Sequence, residues 1–159
     1  MVKKLKKLKL YRHQELALNY MRMNDGFGLF MDQGTGKTIS ALVRVGELIF
    51  DEKKANNCLV VCPKPVIGSW KRDVPIVDYS YGYNIENVLE VVNYEHLLTK
   101  EGKNNILSEK WDIVILDESH FIKNRSAKRT KACYSLGLNA KYRYILTGTP
   151  ISNGQLENI

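Results

Sequence analysis

The sequence predicts a single α/β domain, a mainly parallel sheet with helices on both faces. Three observations carry that expectation. Apolar runs of strand length alternate with stretches of helical periodicity. No two runs are joined by a tight hairpin signal, so the strands are expected to be parallel. A glycine-rich turn, Met31-Asp32-Gln33-Gly34-Thr35-Gly36-Lys37-Thr38, links the first run to the helix after it. At 159 residues the chain is the size of one domain and can bury a core.

In chain order, Arg12 to Met23 reads as a helix with Leu16, Ala17, Tyr20 and Met21 on one side. Asn24-Asp25-Gly26 stops it, and Gly28-Leu29-Phe30-Met31 is the first strand. The helix after the glycine turn covers residues 39–50, with Ile39, Leu42, Val43 and Ile49 facing inward. Gly46 continues that stripe, as it would for close packing on a sheet. Residues 51–57 are a polar connection. Cys58-Leu59-Val60-Val61-Cys62 is the pattern of a strand buried on both faces. Pro63 and Pro65 punctuate it, a short helix is expected over 69–74, and 75–87, rich in Tyr, Gly and Asn, reads as irregular. A strand at 88–92, a short helix at 94–99 and a polar loop at 101–105 follow. The strand at 112–116 ends in Asp117-Glu118, and a basic stretch at 123–131 runs into a helix ending near Gly137. The last strand, 141–146, closes on Thr147-Gly148-Thr149-Pro150. The chain has no internal repeat and no low-complexity linker.

A net charge of +7 favours polyanionic partners. Part of it sits in residues 1–10, a basic tail where Lys3, Lys4, Lys6, Lys7 and Lys9 are separated by leucines. That tail reads either as a solvated terminus or as a contact to nucleic-acid backbone. No apolar run approaches the ~20 residues of a membrane span, and no secretory signal is visible. Cys58, Cys62 and Cys133 do not have metal-ligand spacing and read as buried free thiols, which fits a reducing cytosol.

The chemistry is concentrated at two places. A strand passing through a glycine turn into a helix N-terminus presents backbone N–H groups and a positive dipole end to an anion. In the pattern G-x-x-x-x-G-K-[ST], Lys37 would reach the β- and γ-phosphates and Thr38 would coordinate phosphate-bound Mg²⁺. Met31 stands where that pattern has its first glycine. The second place is Ile113-Val114-Ile115-Leu116-Asp117-Glu118, a buried strand delivering two carboxylates where ligands sit in open α/β sheets. Asp117 would hold Mg²⁺ through its water shell, and Glu118 would orient or deprotonate a water. A strand-end carboxylate pair can also be a solvated turn, but the upstream Gly-Thr-Gly-Lys-Thr favours the nucleotide reading.

Asp117-Glu118-Ser119-His120, continued by Phe121-Ile122-Lys123-Asn124, resembles the Asp-Glu-x-His-x-x-Lys-Asn signature of Swi/Snf-type DNA-dependent ATPases, double-stranded-DNA translocases of helicase superfamily two. Leu146-Thr147-Gly148-Thr149-Pro150 with Asn153 resembles their coupling motif. Leu59-Val60-Val61-Cys62-Pro63 with Trp70 resembles the motif that tracks a DNA strand, and Asn93-Tyr94-Glu95 the element after it. Tyr11-Arg12-His13-Gln14 resembles the adenine-reading motif, with Arg12 and His13 in place of the usual Pro-Tyr. Met31-Asp32-Gln33 replaces the usual Asp-Glu-Met, and Ser152 the usual Gln.

The resemblance implies that residues 11–159 form a RecA-like P-loop NTPase domain, the first of two such lobes. ATP and Mg²⁺ are the implied cofactors, and DNA, double-stranded and read without sequence preference, is the implied partner beside a second RecA-like lobe. Lys37, Asp117 and Glu118 carry the catalytic roles. Gln14, Gly34, Thr35, Gly36, Lys37 and Thr38 bind nucleotide, with Gln14 able to pair with the adenine edge. Thr38 and Asp117 serve the metal. His120, Thr147, Gly148 and Thr149 couple the nucleotide to the track, and Pro63, Ser69, Tyr94 and Lys123 contact nucleic acid. Trp70 reads as core rather than a base-stacking platform. His13 and His96 read as structural. Lys123, Arg125, Lys128, Arg129 and Lys131 form a phosphate-contacting face or a solvated helix surface. Short connections suggest a compact bacterial or phage-type member, cytoplasmic in such a cell and nuclear if eukaryotic. A motor lobe of a restriction-endonuclease subunit or of a strand-separating helicase fits the same motifs. A non-catalytic basic nucleic-acid-binding module is the reading from another class.

Overall fold

The computed structural model describes residues 7–32, 34–122 and 124–148. Five strands alternate with helices: α1 (Arg12–Met23), β1 (Gly26–Phe30), α2 (Lys37–Gly46), β2 (Cys58–Cys62), α3 (Ile67–Tyr81), β3 (Leu89–Asn93), α4 (Lys100–Gly102), β4 (Ile113–Asp117), α5 (Lys128–Asn139) and β5 (Tyr142–Thr147). The sheet order is β1-β5-β4-β2-β3, and every pairing is parallel. All strand C-termini therefore share one edge, where Phe30, Thr147 and Asp117 end on adjacent strands.

The period-two alternation of the strands divides the core. Leu29, Cys58, Val60, Ile113, Ile115 and Tyr144 face α1, α2 and α3. Leu59, Val61, Val114 and Leu116 face α5 and the segment around Leu97 and Ile106. Two of the three interior strands, β2 and β4, are buried along their whole length, which explains why their sequences are apolar without alternation.

Several elements depart from the sequence expectation. The buried stripe of α1 is Gln14, Ala17, Leu18 and Met21, at i, i+3, i+4 and i+7. Leu16 and Tyr20, expected inward, are 50% and 54% exposed. The helix is rotated because a polar residue, Gln14, belongs to its buried face. Gly46 serves close packing, but against a side chain rather than the sheet: a Cβ there would overlap the Tyr83 ring.

The short helix expected at 69–74 is the 15-residue α3, which absorbs most of the segment read as irregular and carries Pro75 inside it. Trp70, Val74 and Val77 form one buried face at spacings of four and three, and their burial outweighs the cost of an interior proline. Gly82, at φ 73, ends the helix. The polar loop expected at 101–105 is helical, α4 continuing as a wide turn over Lys103–Leu107. Thr99 caps it, accepting from the Gly102 N–H at 2.9 Å, and Leu97 and Ile106 anchor it in the core. Among the described residues no helix is long and apolar enough to cross a membrane.

Candidate nucleotide site

The turn between β1 and α2 has the shape expected of an anion cradle. Gly34 and Gly36 adopt φ 78 and 79, a region that favours glycine. Gly36 is also required sterically, because a Cβ there would overlap Gln14 Nε2. It precedes Lys37, the first residue of α2, so the free N–H groups of the helix start face the turn. The buried Lys37 ammonium donates to the carbonyl oxygens of Met31 at 2.9 Å and Asp32 at 3.2 Å. Thr35 Oγ1 donates to Asp32 O at 2.7 Å and closes the loop on itself. Thr38, half-buried, is the second residue of the helix.

The first helix clasps this loop. The Gln14 side chain accepts from the Tyr11 N–H at 2.8 Å, which caps α1, and donates to Gly36 O at 3.3 Å. Both ends of its amide are engaged within the protein, and the residue is buried against the phosphate loop. Ser40 Oγ, on α2, donates to Gln14 O at 3.2 Å. His13 Nε2 lies 2.8 Å from Thr35 O, and its ring stacks on the exposed Tyr11 ring at 5.7 Å. His13 thus touches the loop, a role its sequence context did not announce.

Asp117 continues the alternation of Ile113 and Ile115, which turns its side chain to the face shared with α2 and α3. Its carboxylate accepts from the Trp70 indole N–H at 2.8 Å and from the Glu118 N–H at 2.9 Å. Burial raises its pKa above the ordinary carboxylate value. The two donors and the Lys37 charge act in the opposite sense, while the Glu118 charge adds to the rise. Glu118 has φ 51, a left-handed conformation for a residue with a Cβ. This bend costs about 1–2 kcal/mol. It aims the side chain so that Oε2 lies 3.2 Å from His120 Nδ1. His120 therefore sits on the second carboxylate of the pair, in a short turn packed against β5.

β5 ends at the buried Thr147, whose carbonyl accepts from the Met31 N–H at 3.2 Å. The phosphate loop, the Asp117-Glu118 pair and Thr147-Gly148 thus emerge together from neighbouring strands, as the sequence motifs required. Thr149, Pro150, Ser152, Asn153 and Lys123, together with the first six residues of the basic tail, lie outside the described residues.

The expected nucleic-acid residues divide. Pro63 and Ser69 are half-buried, at the end of β2 and in the first turn of α3. Tyr94 is fully enclosed, and its hydroxyl donates to Asp117 O at 2.6 Å, so its side chain serves the acidic strand end from inside. Trp70 is core, as expected, but its N–H has a polar task that sequence position could not show. The signal available was general: a buried indole N–H needs an acceptor. Arg125, Lys128 and Lys131 are exposed, while Arg129 lies 3.9 Å from Glu95. Cys58, Cys62 and Cys133 are free and buried.

Fold and site together define a RecA-like P-loop lobe. Comparison with known proteins narrows the class. Residues 82–159 match the family model described as SNF2-related domain. The chain is 32% identical to the DNA excision repair protein ERCC-6-like of Danio rerio, over 94% of its own length and 12% of that protein. It is 28% identical to a probable global transactivator of Orgyia pseudotsugata multicapsid polyhedrosis virus, over 91% of the chain and 33% of the relative. Among solved structures, the Sulfolobus solfataricus SWI2/SNF2 ATPase core in complex with dsDNA superimposes with a TM-score of 0.80 at 26% identity. That match covers 94% of this chain and 34% of that one. The chain belongs to the Swi2/Snf2 family and corresponds to its N-terminal RecA-like lobe. It spans a third or less of the length of these curated relatives.

Proposed function

We propose that this chain is the ATP-binding lobe of a DNA-dependent ATPase that, joined to a second RecA-like lobe, moves along double-stranded DNA. One observation carries the reading: a glycine cradle with a buried lysine, and an acidic pair of buried Asp117 and half-buried Glu118, open at the same edge of three adjacent parallel strands. The residues fit ATP and Mg²⁺. Gly34 to Thr38 supply N–H groups, a hydroxyl and a positive charge, and Asp117 supplies an acceptor of opposite charge on the same face. When bound, Mg²⁺ would supply positive charge against the phosphates. Thr38 and Asp117 would hold it, Asp117 through water. Glu118 would orient the attacking water and take up a proton at its carboxylate. His120, beside Glu118, and Thr147-Gly148, on the neighbouring strand, would pass the state of the site to the DNA track, with Thr149 completing that motif.

Pro63, Ser69 and Lys123 are the residues we assign to the DNA backbone, which fixes position without reading sequence. The dsDNA in complex with the Sulfolobus solfataricus ATPase core supports this partner. Short connections between elements support a compact bacterial or phage-type member. The arginine fingers of related enzymes, worth ~10³–10⁵ in turnover, come from outside this lobe in the proposed two-lobe protein. The 159-residue chain alone should therefore hydrolyse ATP poorly and gain little from DNA. A steady-state phosphate-release assay with and without duplex DNA tests this. Robust DNA-stimulated turnover by the chain alone would show the division of labour to be wrong.

A further inference from the structure

Asp117 is held from both faces of the sheet. On the α2/α3 face the Trp70 indole N–H donates to Oδ2 at 2.8 Å, and on the opposite face the Tyr94 hydroxyl donates to the main-chain oxygen at 2.6 Å. The Glu118 N–H takes Oδ1 at 2.9 Å. Each carboxylate oxygen thus has its own donor, which fixes the side chain about both of its rotatable bonds. Trp70 and Tyr94 are completely buried, so neither contact is traded readily for water. Neither residue carries charge. They orient the carboxylate without neutralising it, leaving its charge available to a cation.

We propose that Trp70 and Tyr94 are positioning residues for the Asp117 carboxylate, and that Trp70 ties it mechanically to the first turn of α3. Ser69, the residue before Trp70, is partly at the surface in that turn, while Trp70 reaches inward to Asp117. A displacement of the turn by a bound polyanion moves the indole, and with it the oxygen it holds. The inference rests on the nucleotide-site reading above. A merely structural role for Trp70 makes a different statement: its removal would loosen the fold and weaken nucleotide binding equally with and without Mg²⁺.

Calorimetric titration of the 159-residue chain with a non-hydrolysable ATP analogue, in Mg²⁺ and in EDTA, separates these. In Trp70→Phe and Tyr94→Phe the affinity in EDTA is expected to stay at the wild-type value. The gain produced by Mg²⁺ should shrink by roughly tenfold in Trp70→Phe, the worth of one hydrogen bond to a charged group. In Tyr94→Phe it should shrink by roughly threefold to fivefold, because that hydroxyl donates to a neutral main-chain oxygen. In an Asp117→Asn background Trp70→Phe should cause no further loss, since the two changes act through one carboxylate. Equal losses in EDTA and Mg²⁺, or full additivity with Asp117→Asn, would overturn the proposal. Tyr94→Phe, which removes a single oxygen, carries the test if Trp70→Phe fails to fold. A wild-type chain with no Mg²⁺-dependent gain would overturn the nucleotide reading itself and this inference with it, a result visible before any variant is made.

Discussion

The side-chain amide of Gln14 donates to the main-chain oxygen of Gly36 across 3.3 Å, fastening the first helix to the phosphate loop. Because the same amide also caps α1 through the Tyr11 N–H, nucleotide binding and the docking of this helix are linked. Gln14→Ala is expected to lower the affinity for ATP and GTP together, by roughly tenfold, as one loop support is lost. Competition titration with both nucleotides checks this. A loss confined to ATP would place the amide on the base instead. Gly36→Ala should be more severe, since the new methyl overlaps Gln14 Nε2 and φ is 79.

Glu118 combines a chemical assignment with a strained backbone. Glu118→Gln in a two-lobe protein is expected to retain ATP binding and lose turnover; surviving hydrolysis would remove Glu118 from the role of base. Glu118→Gly should stabilise the isolated chain by about 1 kcal/mol, because glycine accepts φ 51 without penalty. Urea denaturation measures that gain.

Burial of Asp117 makes a pH signature. Its folded pKa lies above the ordinary value of 3.8, so between that value and the raised one the folded chain binds more protons than the unfolded chain. Its contribution to stability therefore falls as pH rises through this window, and the penalty is complete once the pH exceeds the raised value. The stability of wild type minus that of Asp117→Asn should decline as pH increases from about 4 toward neutrality. A flat difference would mean that the carboxylate is not desolvated.

The thiols are expected to be inert in the native chain. Burial pushes Cys62 and Cys133 up to about 12, and Cys58 higher still. An aromatic disulfide reagent at mildly alkaline pH should label none of the three until denaturant is added. Rapid native labelling would contradict the packing of β2 and α5.

Pro75 offers a test of the longest helix. It stands exposed inside α3, where it denies the helix one hydrogen bond. Pro75→Ala should raise stability by about 2 kcal/mol, the interior-proline cost less the entropy that proline removes from the unfolded chain. A loss of stability would mean that α3 ends before this residue.

The strands were legible because β2 and β4 are buried on both faces, so their apolar runs could hardly be read otherwise. The phosphate loop and the acidic pair were legible because their chemistry demands particular residues at fixed spacing. The helices were less so. Pro75, together with tyrosines and Gly82, looked like a break, whereas Trp70, Val74 and Val77 carry the helix through. In α1 the polar Gln14 sits on the buried stripe, so apolar residues alone pointed to a rotated face. The task of Trp70 was invisible for another reason. Its acceptor lies 47 residues away, and only the tertiary fold brings the two together.

Whether this chain is a nucleotide-binding lobe is decided by calorimetry of Mg²⁺-ATP binding to the wild-type chain and to Lys37→Ala. The buried Lys37 ammonium, held over the carbonyls of Met31 and Asp32, is the charge on which the cradle depends. Saturable, Mg²⁺-dependent binding by the wild type and its loss in Lys37→Ala are the expected results. Equal binding by both would contradict the nucleotide site.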